Sequence, residues 1–569
     1  MTDDRFAAAP TVVALMLARA RATPDATAVR RGGETLSYRG LAAAALRIAG
    51  RITALELPPE SAVAVLLRRR AALPAALLGV MAAGHAPLFL TEEYPRHDLP
   101  RLLAGVPLAL CEDGFPPPPG PLRALELSSA LEGPAAPVDT LPVLSPGRLA
   151  CVLHTAVESA QVAVDHGALL ARLRALSAAL PFGPADRLLA LAPLSLAPSA
   201  VELLLPPASG ACLELVDSAD TVDAARLAEV VERVRPTVLH ATPTCWHALL
   251  DSGWVPGPEL AAVSSGEPLP AGIAARLAAD ARCVVSAYGQ AETLMWTSLH
   301  RTAGEGPRTG TALPGTTLRV LGRGPENQRP GEGSAPDEPG ELAVGGVGLA
   351  RGYLGRPGRT AAAFEPDPCG EPGARRFRTG ELARVRSDGS LEFAGRPHDT
   401  WDGVRFFDVE RVLGGVEGVA RCVVLPGDPG LTAHLVAEPG WRHADLREAA
   451  AALGTGCEVV VHAALSAGPD GRVDRLRLLS VRPARPARTH EERVIAEIWA
   501  ELLDLPDPPA ETNLFELGGH SMTVIKLAAR LQRAFGLSIP VADLFDHATI
   551  AQQAELMERL YEEQLSGLS

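Results

Sequence analysis

The sequence predicts a multi-domain α/β chain: a large α/β region, a small α+β block, and a C-terminal helical bundle. Three observations predict it. The 569 residues suffice for three to four domains. From Thr11 to about Trp254, short apolar runs alternate with amphipathic helical patterns, the signature of layered α/β structure with largely parallel strands. From Thr489 onward, both periodicity and charge change.

Taken in order, Ser61–Leu67 reads as a buried strand, with a helix to Ala83 after it. The apolar run Ala71–Leu90 is long enough for a membrane span, but Pro74, Gly84, His85 and Pro87 interrupt it, so a buried helix followed by a strand is expected. Leu149–Leu153 reads as a strand, with a helix from about His166; Leu188–Leu191, Cys212–Val216 and Pro236–Leu239 read as further strands. From Leu313 to Phe393 the strands shorten and Gly-rich turns multiply. Strands at Ala420–Val424 and Leu431–Ala437 with a helix near Asp445–Leu453 form the small α+β block, and Arg475 to Arg488, with Pro483 and Pro486, reads as a semi-stiff basic linker. Expected boundaries are residues 1–395, 396–482, a linker 483–488, and 489–565.

The formal charge is −14. From Thr489 on there are 14 acidic and 5 basic residues, which suits docking on basic partner surfaces and argues against nucleic acid. Lys526 is the one lysine, so a missing lysine elsewhere is weak evidence of lost function. Eight cysteines lack CxxC spacing and imply neither a metal site nor a disulfide framework. The opening MTDDRFAAAP is not a secretory signal, and a cytoplasmic location without membrane association is expected.

The bundle carries the clearest chemical handle. Thr489-His490-Glu491-Glu492 and Thr549-x-x-Gln552 have capping-box spacing. Val494, Ile495, Ile498, Trp499, Leu502 and Leu503 share one helix face; a loop Leu505–Gly519 leads through Gly518-Gly519-His520 to Ser521, the start of a helix that ends at Gly536. Val541–Phe545 reads as a short turn. A serine at a helix start is exposed, and the adjacent N–H groups favour a phosphate attached to it. This segment resembles the four-helix peptidyl carrier domain of nonribosomal peptide synthetases. That resemblance implies 4′-phosphopantetheine on Ser521 and a phosphopantetheinyl transferase as partner.

A second set of strings occurs in one order: Leu36-Ser37-Tyr38, Ala83-Gly84-His85-Ala86-Pro87, Tyr288-Gly289-Gln290-Ala291-Glu292-Thr293, Leu313-Pro314-Gly315, Arg351-Gly352-Tyr353, Arg378-Thr379-Gly380-Glu381 and Gly395-Arg396. Together they resemble the adenylation domain of the same synthetases, an adenylate-forming fold with a large N-terminal and a small C-terminal part. The resemblance implies ATP and Mg²⁺ chemistry that makes an acyl-adenylate. It assigns Glu292 to Mg²⁺, Tyr288 to adenine, Glu381 (in place of aspartate) to ribose and Arg396 to the hinge region. It places Arg472 at the mobile catalytic lysine, and Ala197, Val201, Ala287, Met295 and Trp296 around an apolar substrate pocket.

Departures from the family's pattern are spread through the chain. The phosphate loop reads His154-Thr155-Ala156-Val157-Glu158-Ser159-Ala160, with neither glycine nor lysine, although the chain holds 54 glycines. Glu158 would repel a triphosphate, leaving Thr155 and Ser159 as residual contacts. Ala197 replaces the aspartate that pairs with a substrate ammonium. The expectation is a working carrier on a degenerate adenylation domain, loaded in trans by a separate acyl-loading enzyme and served by condensation or tailoring enzymes, with a small MbtH-like protein as a further partner. The alternatives are a divergent active adenylation domain for an acid lacking an amine, and a non-catalytic interaction protein.

Overall fold

The structure is a computed structural model that describes residues 11–90, 99–114, 122–155, 160–217, 219–304, 308–322, 338–387, 390–401, 404–427, 430–437, 446, 448–450, 457–462, 464–468, 471–479, 489–503, 508, 510, 514, 521–537 and 539–566. The chain divides into two compact units, 1–399 with 467–473, and 400–466 with 474–569.

Two sheets dominate the first unit. The nine-stranded sheet runs Thr311–Ala312, Met295–Thr302, Cys283–Gln290, Ala261–Ser264, Val238–Ala241, Arg187–Ala190, Cys212–Leu215, Thr27–Arg31, Glu34–Ser37. Its strands from Cys283–Gln290 through Thr27–Arg31 pair in parallel, and antiparallel strands close both edges. The seven-stranded sheet has a parallel run of Leu149–His154, Ala86–Leu90, Ala62–Leu66, Leu108–Cys111 and Arg123–Glu126, with antiparallel strands at the Leu149–His154 edge only. Helices lie between them: every residue of Leu73–Ala82 is buried, and a single core joins its leucines to Val29 and Val263 of one sheet and Val65 and Val162 of the other. The apolar run 71–90 is therefore the expected buried helix and strand, with Gly84 at φ +79 turning the chain between them.

The Leu36-Ser37-Tyr38 string has a local reason. The Ser37 hydroxyl accepts the Gly40 N–H (3.2 Å) and caps the helix Tyr38–Thr53. Tyr38, fully buried, donates to the Ala211 carbonyl at 2.8 Å, tying that helix to the strand Cys212–Leu215. A five-stranded antiparallel sheet built on Thr316–Leu321, Gly340–Gly346 and Arg375–Val385 completes the first unit and accounts for the shorter strands expected there.

In the second unit, Val419–Gly427, Gly430–Ala437 and Cys457–His462 form a three-stranded sheet. It packs on Phe406–Leu413 through Val409, Leu413, Val424 and Leu435. The helix expected at Asp445–Leu453 lies partly outside the described residues, as does the whole linker 483–488. The bundle contains His490–Leu503, Ser521–Phe535, Val541–Asp546 and Ile550–Ser566. Both capping boxes form: Thr489 and Glu492 exchange bonds of 3.2 and 3.1 Å, and Thr549 and Gln552 exchange two of 3.2 Å. Gly536, at φ +68, ends the second helix as expected. One correction concerns Val541–Asp546, which is a helix started by Pro540 and not a turn. Trp499 and Gln553, both at 0% exposure, hydrogen-bond at 3.0 Å in the centre of the bundle.

Candidate functional site

The helix Ser521–Phe535 begins at the serine the sequence singles out. The glycines and histidine before it lie outside the described residues. Val524, Leu527, Ala528 and Leu531 bury the face behind it against Trp499 and Leu556.

In the first unit, the expected nucleotide residues fall into three groups. Strand Leu149–His154 pairs antiparallel with Gln161–Asp165 out to the His154–Gln161 step. One step further, the Thr155 N–H donates to the Ala160 carbonyl and the Ala160 N–H to Thr155 Oγ1, each at 3.0 Å. This pair engages the Thr155 and Ala160 amides with each other, and those are groups a phosphate cradle needs turned inward to its ligand. Glu158 and Ser159 lie outside the described residues.

The second group is the ribose position. Tyr288 donates its hydroxyl to Glu381 Oε2 at 2.7 Å, and Arg396 Nη2 lies 3.3 Å from Glu381 Oε1. Burial, reinforced by the Glu381 carboxylate, pushes the Tyr288 hydroxyl well above its ordinary pKa, so it remains a donor. Glu381 thus already has partners on both oxygens. Gly289 is fixed by backbone geometry: a Cβ there would lie 1.6 Å from the Met295 carbonyl oxygen.

The third is Glu292, 7% exposed, with Oε1 accepting from the Tyr353 hydroxyl at 2.8 Å. Burial raises its pKa, and the Tyr353 bond partly offsets this. Its other oxygen is where a hard cation such as Mg²⁺ would be held. Among the described residues no cluster of three or more metal-ligating side chains exists. Glu292 fits a cation through one carboxylate oxygen, while Thr155 and Ala160 pair with each other.

Arg472 sits in a small turn of the first unit. Gly468 N–H donates to the Arg472 carbonyl (2.7 Å), Thr242 donates to the Gly471 carbonyl (2.5 Å), and Val473 N–H donates to Glu267 (3.0 Å). Arg472 Nε lies 3.3 Å from where a Cβ on Gly266 would be.

The expected pocket residues are all buried in one apolar core. Ala197 and Val201, on helix Ala197–Ser209, and Ala287, Met295 and Trp296, on the two neighbouring strands, are all 7% exposed or less. Leu294 and Met295 have φ of +52 and +62, strained values for non-glycine residues beside this wall. The expected apolar lining is incomplete, because Trp296 donates its indole N–H to Ser265, which belongs to a buried polar group with His240 and Glu202. Sequence reasoning passed over His240 and Ser265. The available signal was polar side chains at the ends of the apolar strands Val238–Ala241 and Ala261–Ser264.

Comparison with known proteins agrees with this arrangement. Residues 16–107 and 161–354 match the family "AMP-binding enzyme", and residues 493–557 match "Phosphopantetheine attachment site". A dimodular nonribosomal peptide synthase of Bacillus subtilis (strain 168) is 32% identical over 93% of this chain, which spans 23% of that protein. Novobiocin biosynthesis protein H of Streptomyces niveus is 32% identical over 94% of both chains. The solved structure of holo-AB3403, a four-domain nonribosomal peptide synthetase bound to AMP and glycine, superimposes with a TM-score of 0.72 at 27% identity, over 97% of this chain and 43% of that one. With a large α/β fold that matches an adenylation domain and a helical bundle that bears a phosphopantetheine attachment site, the chain belongs to the AMP-binding enzyme family, as an adenylation–carrier didomain of the nonribosomal peptide synthetase type.

Proposed function

We propose that this didomain works as a carrier: Ser521 bears the phosphopantetheine arm, a separate enzyme supplies the acyl group, and the adenylation-type domain is a scaffold that does not activate acids with ATP. The Thr155–Ala160 closure carries this reading. It engages the Thr155 and Ala160 amides with each other in a stretch whose sequence, 154–160, holds no glycine, where the chemistry needs inward-turned amides. Both residues also fall within 108–160, the stretch that lies between the two matched parts of the AMP-binding family. Ala197 and the Tyr288–Glu381–Arg396 contacts support the same reading. Partners follow from it: a phosphopantetheinyl transferase, an acyl donor enzyme, and enzymes that consume the thioester.

The test has two arms. Coenzyme A with a phosphopantetheinyl transferase should add one arm to the wild type by intact mass and none to Ser521→Ala. ATP–pyrophosphate exchange across a panel of amino, hydroxy and aryl acids should stay at background, with no ATP binding by calorimetry. Micromolar ATP binding would overturn the scaffold reading.

A second reading is favoured by the seating of Arg472 through Thr242 and Glu267, together with a retained Glu292. In that reading the domain still adenylates an acid that lacks an α-ammonium, since Ala197 offers no partner for one. Exchange that depends on one such acid and is lost in Glu292→Gln would establish it.

A further inference from the structure

From Trp296, one of the expected substrate residues, runs a hydrogen-bonded chain that neither reading uses. Trp296 Nε1–H donates to Ser265 Oγ (3.0 Å); Ser265 Oγ lies 2.8 Å from His240 Nε2; His240 Nδ1 lies 2.8 Å from Glu202 Oε1; and Glu202 Oε2 accepts the Ala192 N–H (2.9 Å). Glu202 is 0% exposed, Trp296 2%, and His240 and Ser265 4% each. The direction of the chain follows from chemistry. An indole N–H only donates and a carboxylate only accepts. Both hydrogens of the chain are satisfied when Ser265 O–H donates to Nε2 and His240 Nδ1–H donates to Glu202. That is a nucleophile, a base and an orienting acid in the order and reach of a serine acyl-transfer centre.

The placement agrees. Ser265 directly follows the strand Ala261–Ser264, at the carboxyl end of parallel strands, where open α/β sheets receive ligands. Gly266 comes next, exposed and at φ +94, with the Arg472 guanidinium against it. A positive charge therefore stands beside the residue that follows Ser265, and cationic groups near a reacting carbonyl stabilise the negative charge it develops.

We propose that Ser265, with His240 as base and Glu202 as positioning residue, is an acyl-accepting nucleophile that hydrolyses small thioesters or activated esters. Ser265 Oγ attacks the acyl carbonyl carbon and passes its proton to His240 Nε2. The C–S bond breaks, and the departing thiolate takes that proton. Water then attacks the acyl-serine, giving a proton to His240. The acyl C–O bond to serine breaks, and Ser265 recovers the proton. Products are a free acid and a thiol, and water is the sole co-reactant. Ala197, Val201, Ala287 and Met295 favour acyl groups that are short, apolar and without a charged α-amine. The activity goes beyond the carrier reading and needs neither ATP nor the arm on Ser521.

The full chain is treated with diisopropyl fluorophosphate, the adduct is mapped by tandem mass spectrometry, and thiol release from propionyl-N-acetylcysteamine is followed in parallel. A stoichiometric adduct on Ser265 is expected, with thiol release reduced to the uncatalysed rate in Ser265→Ala. His240→Gln should slow both reactions on the order of a hundredfold or more, with a circular dichroism spectrum like that of the wild type. The wild type alone decides should a variant fail to fold: no adduct, or adducts only at other residues, overturns the proposal. ATP–pyrophosphate exchange and phosphopantetheine attachment are read separately, so failure here leaves the carrier reading standing and the reverse also holds.

Discussion

Gln553 in the carrier bundle gives a sharp quantitative test of what holds the bundle together. Its Oε1 accepts the Trp499 indole N–H and its Nε2 donates to the His547 carbonyl, each at 3.0 Å. Gln553→Leu keeps the volume and removes both bonds. Trp499 is fully buried, so its N–H is stranded away from water at a cost of about 1–3 kcal/mol. The His547 carbonyl is on a partly exposed residue and regains water, so its lost bond costs about 1 kcal/mol or less. The total is about 1–4 kcal/mol, a large fraction of the stability of a domain of this size. Native-state hydrogen exchange on the full chain, read on peptides from Ser521–Phe535, should show opening made easier by that amount. Adding Trp499→Phe removes the stranded donor, and the double variant should recover part of the loss. An opening free energy within about 0.5 kcal/mol of wild type for Gln553→Leu, or no recovery in the double variant, would refute the reasoning.

Other outcomes follow from the same structure. Gly289→Ala should leave the first unit misfolded or unstable by roughly 4 kcal/mol or more, since the added Cβ meets backbone and not a movable side chain; thermal unfolding reads this directly. Tyr353→Phe should destabilise the first unit by about 1–3 kcal/mol at neutral pH through the lost bond to buried Glu292, and the loss should shrink as pH falls and Glu292 protonates. His154 and His166 are each held at about 4 by burial, against an ordinary 6.5. The unfolded chain therefore binds protons before the native one does, and stability is full above pH 6.5 and declines as pH falls toward 4. Denaturant titrations should show that slope, and His166→Leu should flatten it by about 3 kcal/mol across the window.

Much of this architecture was legible in the sequence, because periodicity and caps are local. The Thr489–Glu492 and Thr549–Gln552 boxes are set by four-residue spacing, and both form. The run 71–90 announced its turn through Gly84. The sequence reading of Val541–Phe545 as a turn fails because so short a stretch carries too little pattern to separate a short helix from a turn. The site residues divide along the same line. Tyr288, Glu292, Glu381 and Arg396 stand in recognisable strings, but that Glu381 binds Tyr288 across 93 positions is invisible to any local rule. His240 lies on a strand, Glu202 on a helix and Ser265 just past a strand's end, and each alone reads as an unremarkable residue. Only the parallel register that sets His240 opposite Val263, two residues before Ser265, brings them within hydrogen-bond reach.

Lys526 follows Ser521 by five residues on the helix Ser521–Phe535, and it is exposed. Every other basic side chain apart from the histidines is arginine, and guanidinium groups do not acylate at neutral pH. Among the side chains, amine-selective dyes therefore address this sequence at Lys526. An unmodified sequence thus carries a built-in attachment point beside the carrier serine. A fluorophore placed there would report the travel of the carrier between partner enzymes without a single engineered residue.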